Sequence, residues 1–426
     1  MKTALIISYY YPPCNGSAPW RAYSWALYFK EFGIAPTVIT RHWDGNEHSW
    51  FDYIRDIKTE VKHVSTDSYE IYYLPSKKSV WYYLLFGENK VLKLIQPFNY
   101  YGQMAAGIFN PEVDAASSFG DFLSGHLESK KYDYVILTLP PPNLLKLIPV
   151  IKKKSMAKII ADFRDIWDNL EPSPNYKPDR KKHFSNLLSK RFIKKWLKHA
   201  DLITHVTPPF GEALKTISDK PQAIIFNGYD EEYFEGNNRA DNSKFTFSMI
   251  GSLYPRQEIS IMVNGLKQFV ANKDASKICI NMIGLSENSD SIKMISEAIP
   301  AQYLKLSKRL KKEDAIITTV QSDVLFFPAW KGFRGMIGVK PLDYIASGNN
   351  VLIAPGDDDI MDELITKTQT GKIANTVEEF VSIMNEWYYE WEKNGHLKYH
   401  GIKPEIEFYS RKTQARIFAE TLLNLK

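Results

Sequence analysis

Short, mostly apolar runs alternate with segments of helical periodicity along most of this chain. The first run, Thr3–Ser8, is typical of a strand buried on both faces of a sheet. Trp20, Tyr23 and Leu27 then recur at the spacing of one helix face, and a second run covers Thr37–Thr40. Strand, helix and strand in this order predict a right-handed parallel crossover.

The same alternation continues through the first half of the chain. Further strands are expected at residues 134–138, 157–162, 202–206 and 223–226, with helices between them. Alternating strands and helices predict a doubly wound parallel sheet. Residues 41–130 hold many tryptophans and tyrosines and interrupt the pattern, so we expect an insertion with helical pieces there.

A polar stretch, Glu235–Ser243, separates this series of strands from a second one. Strands follow at Phe245–Ile250, Ile278–Ile283 and Asp323–Phe327, with a helix over Ser260–Asn272. At 426 residues the chain is long enough to bury two cores. The pattern predicts an α/β protein with two Rossmann-like doubly wound domains, residues 1–235 and 236–405, and a final helical segment, residues 406–426.

The composition is that of an ordinary globular protein. Hydrophobic residues make up 44% and charged residues 24%, and the net charge of +5 favours anionic partners. Cys14 and Cys279 fall in different predicted domains, which argues against a disulfide. The sequence shows neither a signal peptide nor an apolar run of membrane-spanning length, so a cytoplasmic location is expected.

The strongest candidate for a site is the segment 327–344. It follows a strand and carries Gly332, Gly335 and Gly338 before Lys340, where a helix begins. Glycines let backbone amides approach an anion, and a diphosphate needs several such donors together with a cation. A surface loop with glycines at its turns is the alternative. However, a loop at the carboxyl end of a parallel strand lies on the ligand side of the sheet.

A second turn, which holds Gly251, Ser252 and Arg256, also follows a strand and precedes a helix. With the usual strand order it lies beside the first turn, where Arg256 would clamp the same diphosphate. An ordinary βα turn with an exposed arginine is the alternative interpretation.

Two further groups of charged residues have two interpretations each. Asp162, Arg164 and Asp165 follow a predicted strand, where they either form a structural ion pair or orient an acceptor hydroxyl. In the second case Asp165 is the preferred polar catalytic residue, with Arg164 as its partner. The run Asp357–Asp359 has metal-ligand chemistry, but its position favours an acidic cap on the following helix, so no metal site is expected.

A long basic helix is predicted over Arg180–His199, with aromatic and aliphatic residues interleaved among its lysines and arginines. This pattern fits a solvated amphipathic helix. It equally fits docking of the Arg180–Lys198 helix on the anionic inner leaflet of a membrane, assisted by the aromatic stretch Val80–Tyr101. No nucleic-acid-binding motif accompanies the charge, so nucleic acid is not an expected partner.

Five strings of residues stand out by their order along the chain: Ile6–Arg21, Asp162–Trp167, Asn227–Asp230, Gly251–Leu253 and Lys340–Gly348. In this order and spacing they resemble the retaining GT-B glycosyltransferases of family 4 over nearly the whole chain, with residues 41–130 the least similar part. The resemblance implies two facing domains with a cleft between them and a final helix that crosses back to the first domain. It also implies a nucleoside-diphosphate-sugar donor in the second domain, an acceptor on the first, and no metal or other cofactor.

Residue by residue, the resemblance implies roles around the donor. Arg256 and Lys340 match the basic positions near its diphosphate, in the turn that also holds Gly251 and in the helix that follows the glycine-rich segment. Ser252 stands where the family has an arginine, which places more weight on Arg256. Asp343 matches the second glutamate of the family's Glu-x7-Glu motif, which holds the ribose hydroxyls.

The first glutamate of that motif falls at Gly335, so its carboxylate is missing. The amides of Met336, Ile337 and Gly338 remain as hydrogen-bond donors at this place. In the first domain, Gly16 matches the glycine loop beside the acceptor and the donor phosphate.

The resemblance therefore implies transfer of a sugar, with retention of configuration, from a nucleoside-diphosphate sugar that is expected to be UDP-linked. The expected acceptor is lipid-linked or a glycan, in the synthesis of cell-surface polysaccharide. A non-catalytic protein of the same fold that binds a glycan or a membrane is the alternative, which the missing glutamate at Gly335 favours. An oxidoreductase is disfavoured because the first βα turn lacks a G-x-G-x-x-G pattern.

Overall fold

The computed structural model describes residues 1–14, 16–47, 52, 55–76, 115–165, 180–235, 243–254, 256–285 and 289–425. Within them the chain forms two compact units, and it passes from the first to the second after Asn227. The second unit comprises Gly228–Thr413, and the residues from Gln414 onward belong to the first. The sequence places the change at residue 235, in a polar stretch that lies largely outside the described residues.

The first unit is built on an eight-stranded sheet in the order β3-β4-β2-β1-β5-β6-β7-β8. Its strands are parallel except for the antiparallel β3–β4 pair. Their bounds are β1 (Lys2–Ser8), β2 (Ile34–Arg41), β3 (Lys62–Ser65), β4 (Glu70–Leu74), β5 (Tyr134–Leu139), β6 (Lys158–Phe163), β7 (Leu202–His205) and β8 (Gln222–Ile224).

Two of these strands correct the sequence analysis. β3 and β4 lie in residues 41–130, for which an insertion with helical pieces is expected. β4 instead continues the parallel sheet beside β2, with Val38 paired to Ile71. Of its five residues only Ile71 and Leu74 are buried, so β4 lacks the continuous apolar run of the central strands.

The helices of the first unit are α1 (Trp20–Tyr28), α2 (Ala115–Ser129), α3 (Ile148–Lys154), α4 (Arg180–Leu197) and α5 (Pro208–Lys215). Alternate residues of β1 pack against both layers, since Leu5 and Ile7 belong to the core with α2 and α4, and Ala4 and Ile6 to the core with α1. A sheet covered on both faces explains why the sequence shows continuous apolar runs there.

The second unit has a six-stranded sheet, parallel throughout, in the order β11-β10-β9-β12-β13-β14. The strands are β9 (Phe245–Ile250), β10 (Ile278–Ile283), β11 (Leu304–Ser307), β12 (Val324–Phe327), β13 (Asn350–Ile353) and β14 (Gly371–Ile373). The helices are α6 (Ser260–Val270), α7 (Ser289–Ala298), α8 (Lys312–Val320), α9 (Lys340–Ala346), α10 (Ile360–Thr368), α11 (Val377–Asn394) and α12 (Lys403–Glu407). Two doubly wound parallel sheets confirm the predicted fold class.

The last helix, α13 (Arg411–Leu423), reaches the core of the first unit. The ring centroid of Phe418 lies 4.8 Å from that of Trp25 and 5.6 Å from that of Phe29. All three side chains are fully buried. The C-terminal end of the chain is therefore part of the first unit's hydrophobic core.

Each sheet reverses its strand order at one place, between β1 and β5 in the first unit and between β9 and β12 in the second. The loops that follow these strand pairs lie at the carboxyl edge of the sheet, which is where doubly wound proteins bind ligands. In the second unit these are the two glycine-containing turns that the sequence analysis selects.

No helix among the described residues combines the length and the apolar character required to span a bilayer.

Candidate functional site

Two loops of the second unit meet at its strand-order reversal. The β9 loop (residues 251–259, of which Pro255 lies outside the described residues) contacts the β12 loop (residues 328–339). Gln257 Nε2 donates a hydrogen bond of 2.6 Å to the carbonyl oxygen of Pro328, and the rings of Tyr254 and Trp330 lie 5.9 Å apart. The expectation that the two turns lie side by side is confirmed.

Lys340 extends from the first turn of α9 into the β9 loop. Its Nζ donates a hydrogen bond of 2.5 Å to the carbonyl oxygen of Ser252 and lies 5.0 Å from the ring centroid of Tyr254. Burial lowers the pKa of Lys340 to about 8, and the positive charge of Arg309 adds to the effect. A cation held where water does not fully solvate it interacts strongly with an anionic ligand.

Gly251 makes this position of Lys340 possible. A Cβ atom at residue 251 would lie 2.4 Å from Lys340 Cε and 2.7 Å from Nζ, closer than nonbonded atoms approach. The backbone φ of Gly251 is 95°, in the left-handed region that glycine adopts most readily. The glycine at this turn is therefore needed for both the backbone and the neighbouring lysine.

Arg256 lies against the other loop. Its guanidinium carbon is 4.6 Å from the ring centroid of Phe333, and its backbone φ of 73° is unusual for a residue other than glycine. Lys340 thus contacts the β9 loop and Arg256 contacts the β12 loop. The two predicted cations belong to one pair of interlocked loops, while Arg334, also in the β12 loop, is exposed.

The three glycines of the β12 loop have different structural roles. Gly332 and Gly335 have φ values of 80° and 77° and form the turns of the loop. Gly338 is half-buried, and a Cβ there would be in ordinary contact with Pro341 and Phe327. The amide of Gly335 donates a hydrogen bond to Asp359 Oδ2, so a carboxylate from another loop approaches the place where the predicted motif lacks one. Met336 and Ile337 follow in the same loop and are half-buried.

Asp343 lies in the first turn of α9, half-buried. Burial raises its pKa to about 6, the positive charges of Lys312 and Arg411 oppose that rise, and the negative charge of Asp230 adds to it. Asp230 accepts hydrogen bonds from Lys312 Nζ, at 2.8 Å, and from Arg411 Nη1. Asp343 is therefore a carboxylate at the edge of a charged cluster, ionised at neutral pH and able to accept hydroxyl hydrogen bonds.

In the first unit, the structure brings the Gly16 loop together with Arg164 and Asp165. Arg164 donates two hydrogen bonds to Asp165 Oδ2 and one of 3.1 Å to the carbonyl oxygen of Ala18. Trp20 Nε1 donates to the carbonyl oxygen of Gly16 at 2.9 Å. The Asp165 side chain is 53% exposed and that of Arg164 only 17%, so the carboxylate is the part of this pair that a ligand can reach.

Asp162 takes a different role from its neighbours. It is fully buried and forms a two-pronged ion pair with Arg21 at 2.7 and 3.0 Å, while Thr138 and Thr204 donate to its oxygens. The sequence groups Asp162 with Arg164, but Asp162 lies within β6, which is buried on both faces, whereas Arg164 follows the end of the strand. Removing one partner of such a buried pair typically destabilises a protein by about 3–5 kcal/mol.

The run Asp357–Asp359 contains the acidic cap that the sequence predicts for the following helix. The Asp357 carboxylate accepts hydrogen bonds from the amides of Asp359, Met361 and Asp362 at the start of α10. The interpretation of this run as a helix cap is confirmed for Asp357. Among the described residues, no three His, Cys, Asp or Glu side chains are grouped so as to hold a metal ion.

The basic helix α4 is amphipathic, as predicted. Ile193, Trp196 and Leu197 are buried, whereas exposed residues recur at helical spacing on the other face. These exposed residues are Leu187, Arg191, Lys194, Lys195 and Lys198. The Val80–Tyr101 stretch, invoked as a second membrane contact, lies outside the described residues.

Sequence reasoning missed four participants in the second unit. Arg309 and Lys312 follow β11, Trp330 packs on Tyr254, and Asp359 bonds to the β12 loop. Arg309, Lys312 and Asp359 lie outside the glycine-rich segment, and Trp330, which lies within it, is neither a glycine nor a charged residue. The one available signal was position, since each follows a strand of the parallel sheet at its carboxyl end.

No protein-family model matches this chain, and no curated protein sequence matches it. Solved structures do match over its whole length. A glycosyltransferase from Rickettsia africae has a TM-score of 0.60 at 12% identity, with 100% of this chain and 99% of that chain covered. A sucrose-phosphate synthase from Thermosynechococcus elongatus has a TM-score of 0.59 at 11% identity, with 100% and 95% covered. The Anabaena protein HepE, in complex with UDP and glucose, has a TM-score of 0.56 at 13% identity, with both chains fully covered. The chain has the GT-B fold of these proteins.

Proposed function

We propose that this protein transfers a sugar from a nucleoside-diphosphate sugar, and that the second unit binds the donor. The observation that carries the proposal is the environment of Lys340. This amine is half-buried, it donates a hydrogen bond to the carbonyl oxygen of Ser252, and burial together with the positive charge of Arg309 lowers its pKa. A half-buried cation at the ligand edge of a doubly wound sheet suits a multiply charged anion such as a diphosphate.

The same residues supply the chemistry of transfer. When the bond between the sugar and the diphosphate breaks, negative charge grows on the departing phosphate oxygen. Lys340, Arg256 and the amides of Met336, Ile337 and Gly338 are the groups that would stabilise this charge, and fixed donors in a dry site do so strongly. Asp343 would accept hydrogen bonds from the ribose hydroxyls. No metal ion has a part in this scheme.

We propose UDP as the nucleotide. The E. coli trehalose-6-phosphate structure, which matches this chain with a TM-score of 0.63 at 10% identity, is bound with UDP-2-fluoro glucose, and HepE holds UDP and glucose. We also propose that transfer retains the configuration of the sugar and that the protein belongs to family 4. The support for both is the sequence resemblance.

The acceptor, in this proposal, is bound by the first unit, with Asp165 and Arg164 orienting its hydroxyl beside the Gly16 loop. We propose a lipid-linked or glycan acceptor at the cytoplasmic face of the membrane, in cell-surface polysaccharide synthesis. The support is the exposed basic face of α4. The neighbouring helix α3 adds exposed Lys152 and Lys153, and Met156 just beyond it is 98% exposed.

The second candidate is a non-catalytic GT-B protein that binds a glycan or a membrane. Its support is Gly335, which leaves the glycine-rich loop without a carboxylate of its own. A nucleotide-binding measurement separates the two candidates, because a protein that binds no nucleotide at all fits only the second.

Lys340→Ala tests the proposal. Loss of a charge-assisted contact worth about 1.5–3 kcal/mol should weaken UDP binding about 10- to 100-fold in calorimetric titration. Release of UDP from UDP-sugars should fall by roughly 100-fold or more, because the leaving group loses its cation.

Lys372→Ala is the matched control. Lys372 lies in the same unit and forms a surface ion pair with Glu386, which contributes at most about 1 kcal/mol. Its binding and turnover should equal those of the wild type. Unchanged UDP binding and turnover in Lys340→Ala, or a wild type that binds none of UDP, ADP and GDP or their glucose derivatives, would overturn the proposal.

A further inference from the structure

A third loop of the second unit lies beside the glycine-rich β12 loop. This β13 loop (residues 354–359) connects β13 to α10. The amide of Ala329 donates a hydrogen bond of 3.1 Å to the carbonyl oxygen of Pro355, and the amide of Gly335 donates one to Asp359 Oδ2. Two separate contacts thus hold the β13 loop against the loop that ends at Lys340.

The carboxylates near this point are used differently. Asp357 is buried and caps α10, and Asp362 accepts hydrogen bonds from the amides of Asp357 and Asp358. Both carboxylates bond within their own segment. Asp359 instead bonds across to the β12 loop, and its side chain is half-exposed.

The chemistry of Asp359 suits a contact with a sugar. An ionised carboxylate has about four acceptor positions, of which the Gly335 amide takes one. The others can accept hydrogen bonds from hydroxyl groups, which are the groups that distinguish one sugar from another. Gly335 has no side chain, so the Asp359 carboxylate meets the backbone at that point.

We infer that Asp359 is a specificity-determining residue, whose carboxylate binds a hydroxyl of the donor's sugar from the β13 loop. It supplies, from a neighbouring strand end, the carboxylate that the β12 loop lacks at Gly335. This inference rests on the proposed function, because it places the sugar of the donor at the β12 loop. It removes the main support of the non-catalytic alternative, which is the missing carboxylate.

A purely structural role would also explain the Gly335 contact, so the test must separate the two. In Asp359→Asn the side-chain oxygen can still accept from the Gly335 amide, while the negative charge that strengthens a hydroxyl contact is lost. Calorimetric titration with UDP and with UDP-glucose, UDP-galactose and UDP-N-acetylglucosamine measures the nucleotide and the sugar contributions separately.

In the wild type we expect at least one sugar nucleotide to bind more tightly than UDP. Asp359→Asn should weaken that sugar nucleotide about tenfold or more and change UDP binding by less than twofold. Asp358→Asn is the matched control, since Asp358 is exposed and has a φ of 54°, a conformation that asparagine tolerates. It should bind both ligands as the wild type does.

Equal weakening of UDP and sugar nucleotide in Asp359→Asn would indicate a structural role only and overturn the inference. The inference also fails if Asp359→Asn has no effect, or if the wild type favours no sugar nucleotide over UDP. In each of these cases the proposed function stands, provided that UDP binds and Lys340→Ala weakens it. Absence of UDP binding by the wild type is the separate outcome in which the proposed function itself fails.

Discussion

At the scale of single residues, Lys340 shows how a site depends on its neighbours. Its identity and its place at the start of a helix are visible in the sequence. Its burial against Ser252 and Tyr254, and the nearby charge of Arg309, are not, because these residues come from other strand ends. The lowered pKa follows from that assembly and has a measurable consequence.

We predict that UDP binding depends on pH through Lys340. In the protein without ligand, Lys340 has a pKa of about 8, so its amine is charged at pH 7 and neutral at pH 9.5. The charged form favours binding of an anion, so affinity should change little near pH 7.5 and fall by up to about tenfold per pH unit above pH 8.5. Calorimetric titration between pH 7.5 and 9.0, where the diphosphate is almost fully ionised, measures this slope.

The control is Lys340→Met, which keeps the length of the side chain and removes its charge. Its UDP affinity should be lower throughout and independent of pH over the same range. A slope that persists in Lys340→Met would assign the titration to another group.

At the scale of secondary-structure elements, the sequence succeeds where a strand or helix has a strong pattern. β1, β9 and β10 are mostly apolar and largely buried, and Thr376 with Glu379 forms the predicted capping box of α11. β4 is missed because it is short and only partly buried. The contact of α6 with α11 cannot be seen in the sequence. A small residue at the contact allows the two helices to pack closely.

Gly265 is such a residue, and Gly265→Ala should destabilise the second unit. A Cβ there would lie 2.3 Å from Cδ1 of the buried Phe380 of α11, and overpacking of this kind destabilises by about 1–3 kcal/mol. Because a chain of two units need not unfold in one step, amide hydrogen exchange of α6 and α11 is the measurement. Faster exchange in both helices is expected.

Gly125→Ala provides the comparison. Gly125 is an exposed glycine of α2, and a Cβ added there would have nothing within 4 Å, so alanine should stabilise that helix by about 0.5–1 kcal/mol. If Gly265→Ala left the hydrogen exchange of α6 unchanged, the added methyl group would fit without destabilising the unit, contrary to the close packing of α6 on Phe380.

At the scale of the whole molecule, two doubly wound units and an exposed basic face define what the protein can contact. The fold class follows from the alternation of elements, while the assignment of the residues from Gln414 onward to the first unit needs the packing of Phe418 on Trp25. The fold does not need the exposed basic face formed by Arg191 and Lys194 of α4 and by Lys198 just beyond its end, because the opposite face of α4 supplies the core contacts.

We predict that this face binds anionic membranes. The protein should sediment with phosphatidylglycerol-containing vesicles at low salt and less with vesicles of phosphatidylcholine alone, because each basic residue near the surface contributes about 1 kcal/mol. Lys194→Glu combined with Lys198→Glu should abolish the association. Lys267→Glu combined with Lys305→Glu, at exposed lysines of the second unit, makes the same change in net charge and should not. Equal loss in both double variants would indicate a non-specific charge effect.

The sequence by itself determined the two doubly wound units, their central strands and the two glycine turns. Each of these depends on a local pattern, namely apolar periodicity or backbone freedom at glycine. Only the tertiary structure decided which charges meet: Asp162 pairs with Arg21 in the core, Arg164 pairs with Asp165 at the surface, and Asp359 reaches Gly335 from another loop. The first and third pairings join residues from different elements, so no spacing along the chain encodes them, and the second is set apart from the first because β6 ends between Asp162 and Arg164.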